Sequence, residues 1–283
     1  MPAVDITEFT DPACPFAFSA EPHRWRLRWL FGDQLRWRER MVVLAEGREH
    51  YAEEGLTPDF MAESSGKLAE RYGMPMTEEV KPAVAATLPA CRAVVAARLH
   101  APEQERPLLR RLRHLHFSGP LLDDPATIAR AATDVLLDPA ELVGWMAEEA
   151  TEQAVREDMS LARDPTPAAL ALKDKLATTD DGGWRYTCPS LEFRTAGGAA
   201  YSVPGMQSSL AYETALANAE PALERRAEPE DVAEVLAWAG VPLATQEVAE
   251  VCGTSREKAR GQLEAAGAVE EPVGRDGFWT LAA

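Results

Sequence analysis

Val4-Asp5-Ile6-Thr7-Glu8-Phe9-Thr10-Asp11-Pro12-Ala13-Cys14-Pro15-Phe16-Ala17-Phe18-Ser19-Ala20-Glu21-Pro22 is the stretch that decides the fold. Val4, Ile6 and Phe9 give a short strand pattern, and Asp11-Pro12 breaks it. Pro15 sits where a helix would open, since the first turn of a helix has no use for the missing N–H. The pattern therefore delivers Cys14 at a strand-to-helix junction, at the positive end of a helix dipole. Such a position favours the thiolate, the reactive form of cysteine. The plainer reading of Cys14 is a small apolar residue at a turn.

Outward from this stretch, Phe16 to Phe31 reads as one helix. Its apolar positions Phe18, Trp25, Trp29 and Leu30 are interleaved with Arg24, Arg26 and Arg28. Leu35 to Leu44 alternates and then turns wholly apolar, which predicts a second strand buried at its far end. Strand, helix, strand with a right-handed crossover makes the two strands parallel. The arginines read as a solvated face, or as an attraction for an acidic thiol such as glutathione.

Asp11-Pro12-x-Cys14-Pro15-Phe16, with Glu21-Pro22 beyond, resembles the active-site segment of the DsbA-like branch of the thioredoxin superfamily. That branch includes FrnE-like oxidoreductases, 2-hydroxychromene-2-carboxylate isomerases and kappa-class glutathione transferases. The resemblance implies an α/β thioredoxin-like fold with a large all-helical insertion forming a lid over the active cysteine. It makes Cys14 the catalytic thiol and places Asp11, Pro15 and Phe16 at the substrate. Members usually carry Asp-Pro-x-Cys-Pro-Trp-Cys or a Ser variant, whereas Ala17 stands here in place of the second cysteine. Nothing at position 17 can resolve a mixed disulfide.

The long middle of the chain has almost no strand signal. Helix starts are written at Thr57-Pro58-Asp59, Leu88-Pro89, Asp124-Pro125 and Asp138-Pro139, each with Pro in the first turn and most with a capping side chain ahead of it. Five to six helices are expected. Cys91 reads as a small apolar residue on an amphipathic helix. His114 and His116, two apart, fall on different helix faces and do not share a metal. His23 reads as a helix-surface residue more readily than as a base for the thiol.

Farther on, Trp184 to Phe193, the Gly197-Gly198 turn and Ala200 to Gln207 give a hairpin signal. In the resembled family a residue followed by a cis-proline opens this hairpin and faces the catalytic cysteine. The matching pair is Cys188-Pro189, with Pro204 as a rival. On that reading Pro189 docks the substrate. Cys188 then either supplies the missing second sulfur, as a resolving thiol or a soft-metal partner, or replaces a Val or Thr of similar size.

Leu210 to Ala222 closes the domain as a helix, and a linker at 225–229 follows. Beyond it, three short helices and a hairpin around Gly274-Arg275-Asp276-Gly277 resemble a winged helix-turn-helix module. Residues 228–283 are acidic, which favours packing or homodimerisation over DNA binding. The expected division is 1–54 with 182–224 as the thioredoxin-like domain, 55–181 as the helical lid and 228–283 as the C-terminal module.

The 283 residues carry a formal charge of −17, against a general nucleic-acid binder. No apolar leader or membrane-length run is present, so a cytoplasmic protein is expected. The four cysteines, 14, 91, 188 and 252, form no CxxC and no zinc spacing. Thiol–disulfide oxidoreduction through Cys14 is the leading functional reading, with a low-molecular-weight thiol such as glutathione or a protein mixed disulfide as partner. A kappa-class-like isomerase or transferase and an inactive thioredoxin-fold binding protein are the alternatives.

Overall fold

The computed structural model describes residues 2–282. Strand β1 (Val4–Thr10) buries Val4, Ile6 and Phe9 and is followed by helices α1 (Pro15–Ser19) and α2 (Glu21–Phe31). The single helix expected from Phe16 to Phe31 is thus two. Pro22 lies in the first turn of α2, where it costs nothing. Within one continuous helix it would remove an i→i−4 bond and clash with the preceding turn.

Strand β2 (Leu35–Met41) pairs parallel to β1, with Val4 opposite Leu35. It stops short of the expected Leu44, because Val43 takes a positive φ of 56° and Leu44 N–H turns to the Asp11 carboxylate. Helices α3 (Arg48–Glu53), α4 (Pro58–Tyr72), α5 (Leu88–His100), α6 (Glu105–Ser118), α7 (Pro125–Asp134), α8 (Pro139–Met146), α9 (Glu149–Ala162) and α10 (Pro167–Leu170) follow. Asp124 and Asp138 cap α7 and α8 by accepting backbone N–H groups of the first turn. Helix α5 is not amphipathic through its centre. Ala90, Cys91 and Ala93 to Ala97 are all buried, the pattern of a helix enclosed by its neighbours.

A short antiparallel pair, β3 (Leu176–Thr178) and β4 (Trp184–Tyr186), leads into the hairpin β5 (Ser190–Thr195) and β6 (Ala200–Val203). β5 runs antiparallel to β1, giving a four-stranded sheet in the order β2-β1-β5-β6. Helix α11 (Ser209–Ala219) follows the sheet.

The C-terminal elements are α12 (Val232–Ala239), β7 (Leu243–Ala244), α13 (Thr245–Val251), α14 (Arg256–Ala265), β8 (Val269–Val273) and β9 (Asp276–Thr280). The three strands form an antiparallel sheet in the order β7-β9-β8. Val232, Val248, Leu263 and Trp279 share one apolar cluster with Ile6, Trp29 and Phe193, so these elements are packed on the domain that carries β1.

This packing corrects the reading of the α2 arginines as a solvated face. Arg24 is 3% exposed; it holds Glu8 through two hydrogen bonds and donates to Ala17 O at 2.7 Å. Arg26 donates to Glu213, Glu228 and the carbonyls of Glu250 and Val251, tying α2 to the end of α13.

Candidate functional site

The site is built on the junction between β1 and α1. Cys14 is the N-cap of α1 and its Sγ accepts the Ala17 N–H at 3.4 Å. The same sulfur donates to the backbone carbonyl of Cys188 at 3.3 Å, although the residues are 174 apart in sequence. The Cys188–Pro189 peptide is cis. Cys14 is 5% and Cys188 8% exposed. Both lie on the wall of an open cleft of about 380 Å³, which Phe16, Leu44, Tyr72, Arg185 and Met206 also border. Both cysteines are recessed in its wall.

The electrostatics separate the two thiols. The side-chain hydrogen bond from Cys188 is the largest influence on Cys14 and lowers its pKa from the usual 9.0. Burial opposes this, the Ala17 and Phe16 N–H groups reinforce it, and the Asp11 charge opposes it, with a net downward shift. Cys188 moves the other way: burial, then its bond to Cys14, raise it well above 9.0. The Arg185 cation at the cleft wall partly offsets that rise. The two thiols are thus shifted apart, Cys14 towards the thiolate and Cys188 towards the protonated form.

Asp11 lies behind the cleft and not in it. It is fully buried, and its carboxylate accepts Ala13 N–H at 2.8 Å and Leu44 N–H at 2.9 Å. The Cys91 thiol reaches the same carboxylate at 3.5 Å. Its expected place at the substrate is corrected: the side chain clamps the Cys14 loop to the end of β2. Burial raises its pKa above 3.8.

Phe16, 44% exposed, stands at the rim with its ring 6.4 Å from Tyr72 of α4. Helix α4 of the helical segment thereby contributes one wall. Pro15 is turned to a neighbouring narrow recess with Tyr51 and Met61. Pro189 is buried and packs with Ala20, Leu27 and Tyr212, so at this point of the chain Thr187 and Cys188 border the cleft. Neither proline is among the residues bordering the 380 Å³ cleft.

Sequence reasoning missed Arg185 and Tyr72 in the cleft and Cys91 behind it. Arg185 and Tyr72 belong to no motif; Cys91 looked apolar because its partner lies 80 residues away. His23 is bonded to Ser209 Oγ at 2.7 Å and lies 3.5 Å from Glu250, on the side of α2 facing α13. Among the described residues there is no group of three or more His, Cys, Asp or Glu side chains able to hold a metal. Among the same residues, no helix is long and apolar enough to cross a membrane.

A parallel β1–β2 pair, an antiparallel β5–β6 hairpin and a cysteine capping the first helix define a thioredoxin-like domain. The model of the DSBA-like thioredoxin domain family matches residues 5–165, more than half of the chain, and the protein belongs to that family. Solved structures agree on the fold. A Nitrosomonas europaea protein put forward as a protein disulfide isomerase matches at 16% identity and TM-score 0.58, over 76% of this chain and 97% of that one. The cytosolic disulfide reductase DsbM from Pseudomonas aeruginosa matches at 14% identity and TM-score 0.53, over 74% and 91%. DsbM solved with GSH gives 12% identity and TM-score 0.51 over the same shares. Comparison with curated proteins returns no match.

Proposed function

We propose that the protein is a thiol–disulfide oxidoreductase in which Cys14 is the attacking thiol and Cys188 the resolving one. The substrate on this reading is a mixed disulfide of a low-molecular-weight thiol such as glutathione, or of a protein. The Cys14 thiolate attacks one sulfur of the substrate S–S bond, forming a Cys14 mixed disulfide and expelling the other sulfur as a thiolate that takes a proton. Cys188 then loses its proton and attacks Cys14 Sγ, expelling the second thiol and leaving a Cys14–Cys188 disulfide. Two equivalents of a thiol reductant return it to the dithiol. A reducing compartment such as the cytoplasm would supply them.

The observation that carries this reading is the 3.3 Å contact between Cys14 Sγ and Cys188 O, together with the opposite shifts of the two thiols. A low-pKa sulfur attacks and leaves readily, and a higher-pKa partner stays protonated until the mixed disulfide has formed. GSH in the DsbM structure supports a glutathione-type partner, and Arg185 at the cleft offers a cation to its carboxylates.

Ala17 favours a second reading, in which the cleft activates a bound thiol as kappa-class enzymes do and Cys188 has no redox part. A third, an inactive binding protein, leaves Cys14 unreactive. We further assign residues 1–54 with 182–224 to the thioredoxin-like domain, 55–181 to the lid and 228–283 to a winged-helix-like packing module. In that module Arg260 is held by Glu270 and Asp276 at the wing, leaving less charge for DNA.

The test is mild diamide oxidation followed by peptide mass mapping, alongside turnover of a glutathione mixed disulfide. The resolving role predicts a Cys14–Cys188 cross-link and loss of turnover in Cys188→Ser. Absence of the cross-link with unchanged Cys188→Ser turnover would leave the thiol-activating reading.

A further inference from the structure

A second cavity, of about 420 Å³, lies apart from the cysteine cleft, between α2, α6 and the C-terminal elements. Its wall holds Trp25, Arg28, Arg106, Arg110, Arg113 and His114, with apolar surface from Leu109, Val135 and Val241. Most guanidinium groups here have a carboxylate. Arg24 holds Glu8, Arg113 holds Glu21, Arg110 holds Glu247 through two bonds, Arg106 reaches Glu39 and Arg111 reaches Asp134. Arg28 is the exception among the described residues. It forms neither a salt bridge nor a side-chain hydrogen bond, and is held between the rings of Trp25 and Trp37 at 5.5 and 5.1 Å.

A second, independent observation concerns hydrogen bonding. The buried side-chain atoms without a partner include Trp25 Nε1, Arg28 Nε, Arg110 Nε, Arg113 Nε and His114 Nε2, all from residues lining this cavity. Every one is a nitrogen, and of the wall carboxylates the exposed Glu271 alone forms neither an ion pair nor a side-chain hydrogen bond among the described residues. Buried donors are paired in the great majority of folded proteins, because an unpartnered one costs about 1–3 kcal/mol. These nitrogens sit within the wall itself, and the terminal nitrogens of Arg28, open and unpartnered, are the donors left to meet an entering acceptor.

We propose that this cavity binds a small organic monoanion, its carboxylate on Arg28 and its apolar body against Trp25, Leu109 and Val135. Arg28 is the one wall guanidinium without a carboxylate and Glu271 repels further negative charge, so a monoanion is favoured over a phosphate dianion. The planar fork of Arg28 suits a carboxylate accepting two N–H bonds. A polar anchor in a largely apolar pocket is the usual form of a small-molecule site. Burial, and then the repulsion of Arg106, bring the Arg28 guanidinium down to about 9, so it carries its charge at neutral pH and gains from an added anion.

The site touches the thiol region from behind. Arg24 donates to Ala17 O in α1, and Arg113 donates to Thr10 Oγ1 at the end of β1. The inference does not depend on the redox reading, since its readout is binding.

The test is thermal unfolding of the full chain with benzoate, with the neutral benzamide of the same shape, and with inorganic phosphate, all at matched ionic strength. Saturating benzoate is expected to raise the midpoint by about 2–4 °C, and benzamide to leave it unchanged. Arg28→Met is expected to lose the response while its midpoint without ligand stays level or rises, because an unpaired buried cation has been removed. Should that variant fail to fold, Arg28→Lys keeps the charge without the fork and is expected to respond more weakly than the wild type. No rise with benzoate, an equal rise with benzamide, or a wild-type response in Arg28→Met would overturn the proposal. A larger rise with phosphate would overturn the monoanion assignment.

Discussion

The Cys14 thiol donates to the backbone carbonyl of Cys188 across 3.3 Å, so the sulfur of the first helix and the loop before β5 meet at one point. The contact makes each cysteine part of the other's environment. Cys188 stabilises the Cys14 thiolate and, by doing so, becomes harder to ionise itself.

Replacing Cys188 by Ala therefore raises the pKa of Cys14, because the largest lowering influence is gone. Iodoacetamide alkylation of Cys14 followed against pH checks this, with a midpoint below that of an ordinary thiol in the wild type and a higher one in the variant. Each unit of rise cuts the thiolate fraction at neutral pH about tenfold. A midpoint unmoved by Cys188→Ala would remove Cys188 from the thiol's electrostatics.

Asp11→Asn should act in two directions at once. The amide cannot accept both the Ala13 and Leu44 N–H groups as the carboxylate does, which costs about 1–3 kcal/mol in a denaturant titration. Removing the charge behind Cys14 takes away an influence that raises its pKa, so alkylation at neutral pH becomes faster. The aspartate's own pKa is raised by burial. Its contribution to stability is full below 3.8 and is lost as pH rises through the folded value.

The buried pair of Glu8 and Arg24 anchors α2 to β1 and reaches α1 through Ala17 O. Glu8→Gln leaves a buried cation short of its counter-charge and is expected to destabilise by about 3–5 kcal/mol, read from chemical denaturation. The double variant Glu8→Leu with Arg24→Met should recover much of that loss. Recovery would separate the cost of an orphaned charge from the worth of the pair.

Glu105 gives a pH signature far from the thiols. Burial raises it to about 7 against the lowering effect of Arg98, and the charges of Glu39 and Asp158 add to the rise. A carboxyl raised in the folded state contributes stability that is full below 4.5 and is lost as pH climbs to about 7. The loss is at most roughly 3 kcal/mol. Glu105→Gln should flatten the stability profile across that window, measured as urea midpoints from pH 5 to 8.

Local chemistry made much of the fold legible. The break at Asp11-Pro12, Cys14 capping a helix that opens with Pro15, the Asp124 and Asp138 caps and the Gly197-Gly198 turn are each decided within four or five residues. The split of α1 from α2 was equally local, written in Pro22, and overlooked because the apolar spacing runs on past it. The β3–β4 pair escaped because strands of three residues carry too little alternation.

By itself, then, the sequence determined where backbone hydrogen bonds start and stop, and hence which elements form and that Cys14 heads a helix. Tertiary structure alone decided which distant groups share a low-dielectric space. It set Cys91 on Asp11, buried Arg24 against Glu8, left Arg28 between two tryptophans and placed Cys188 over Cys14. The physical reason is range: caps and turns act over a few residues, whereas burial and charge pairing depend on what the whole chain stacks around a side chain.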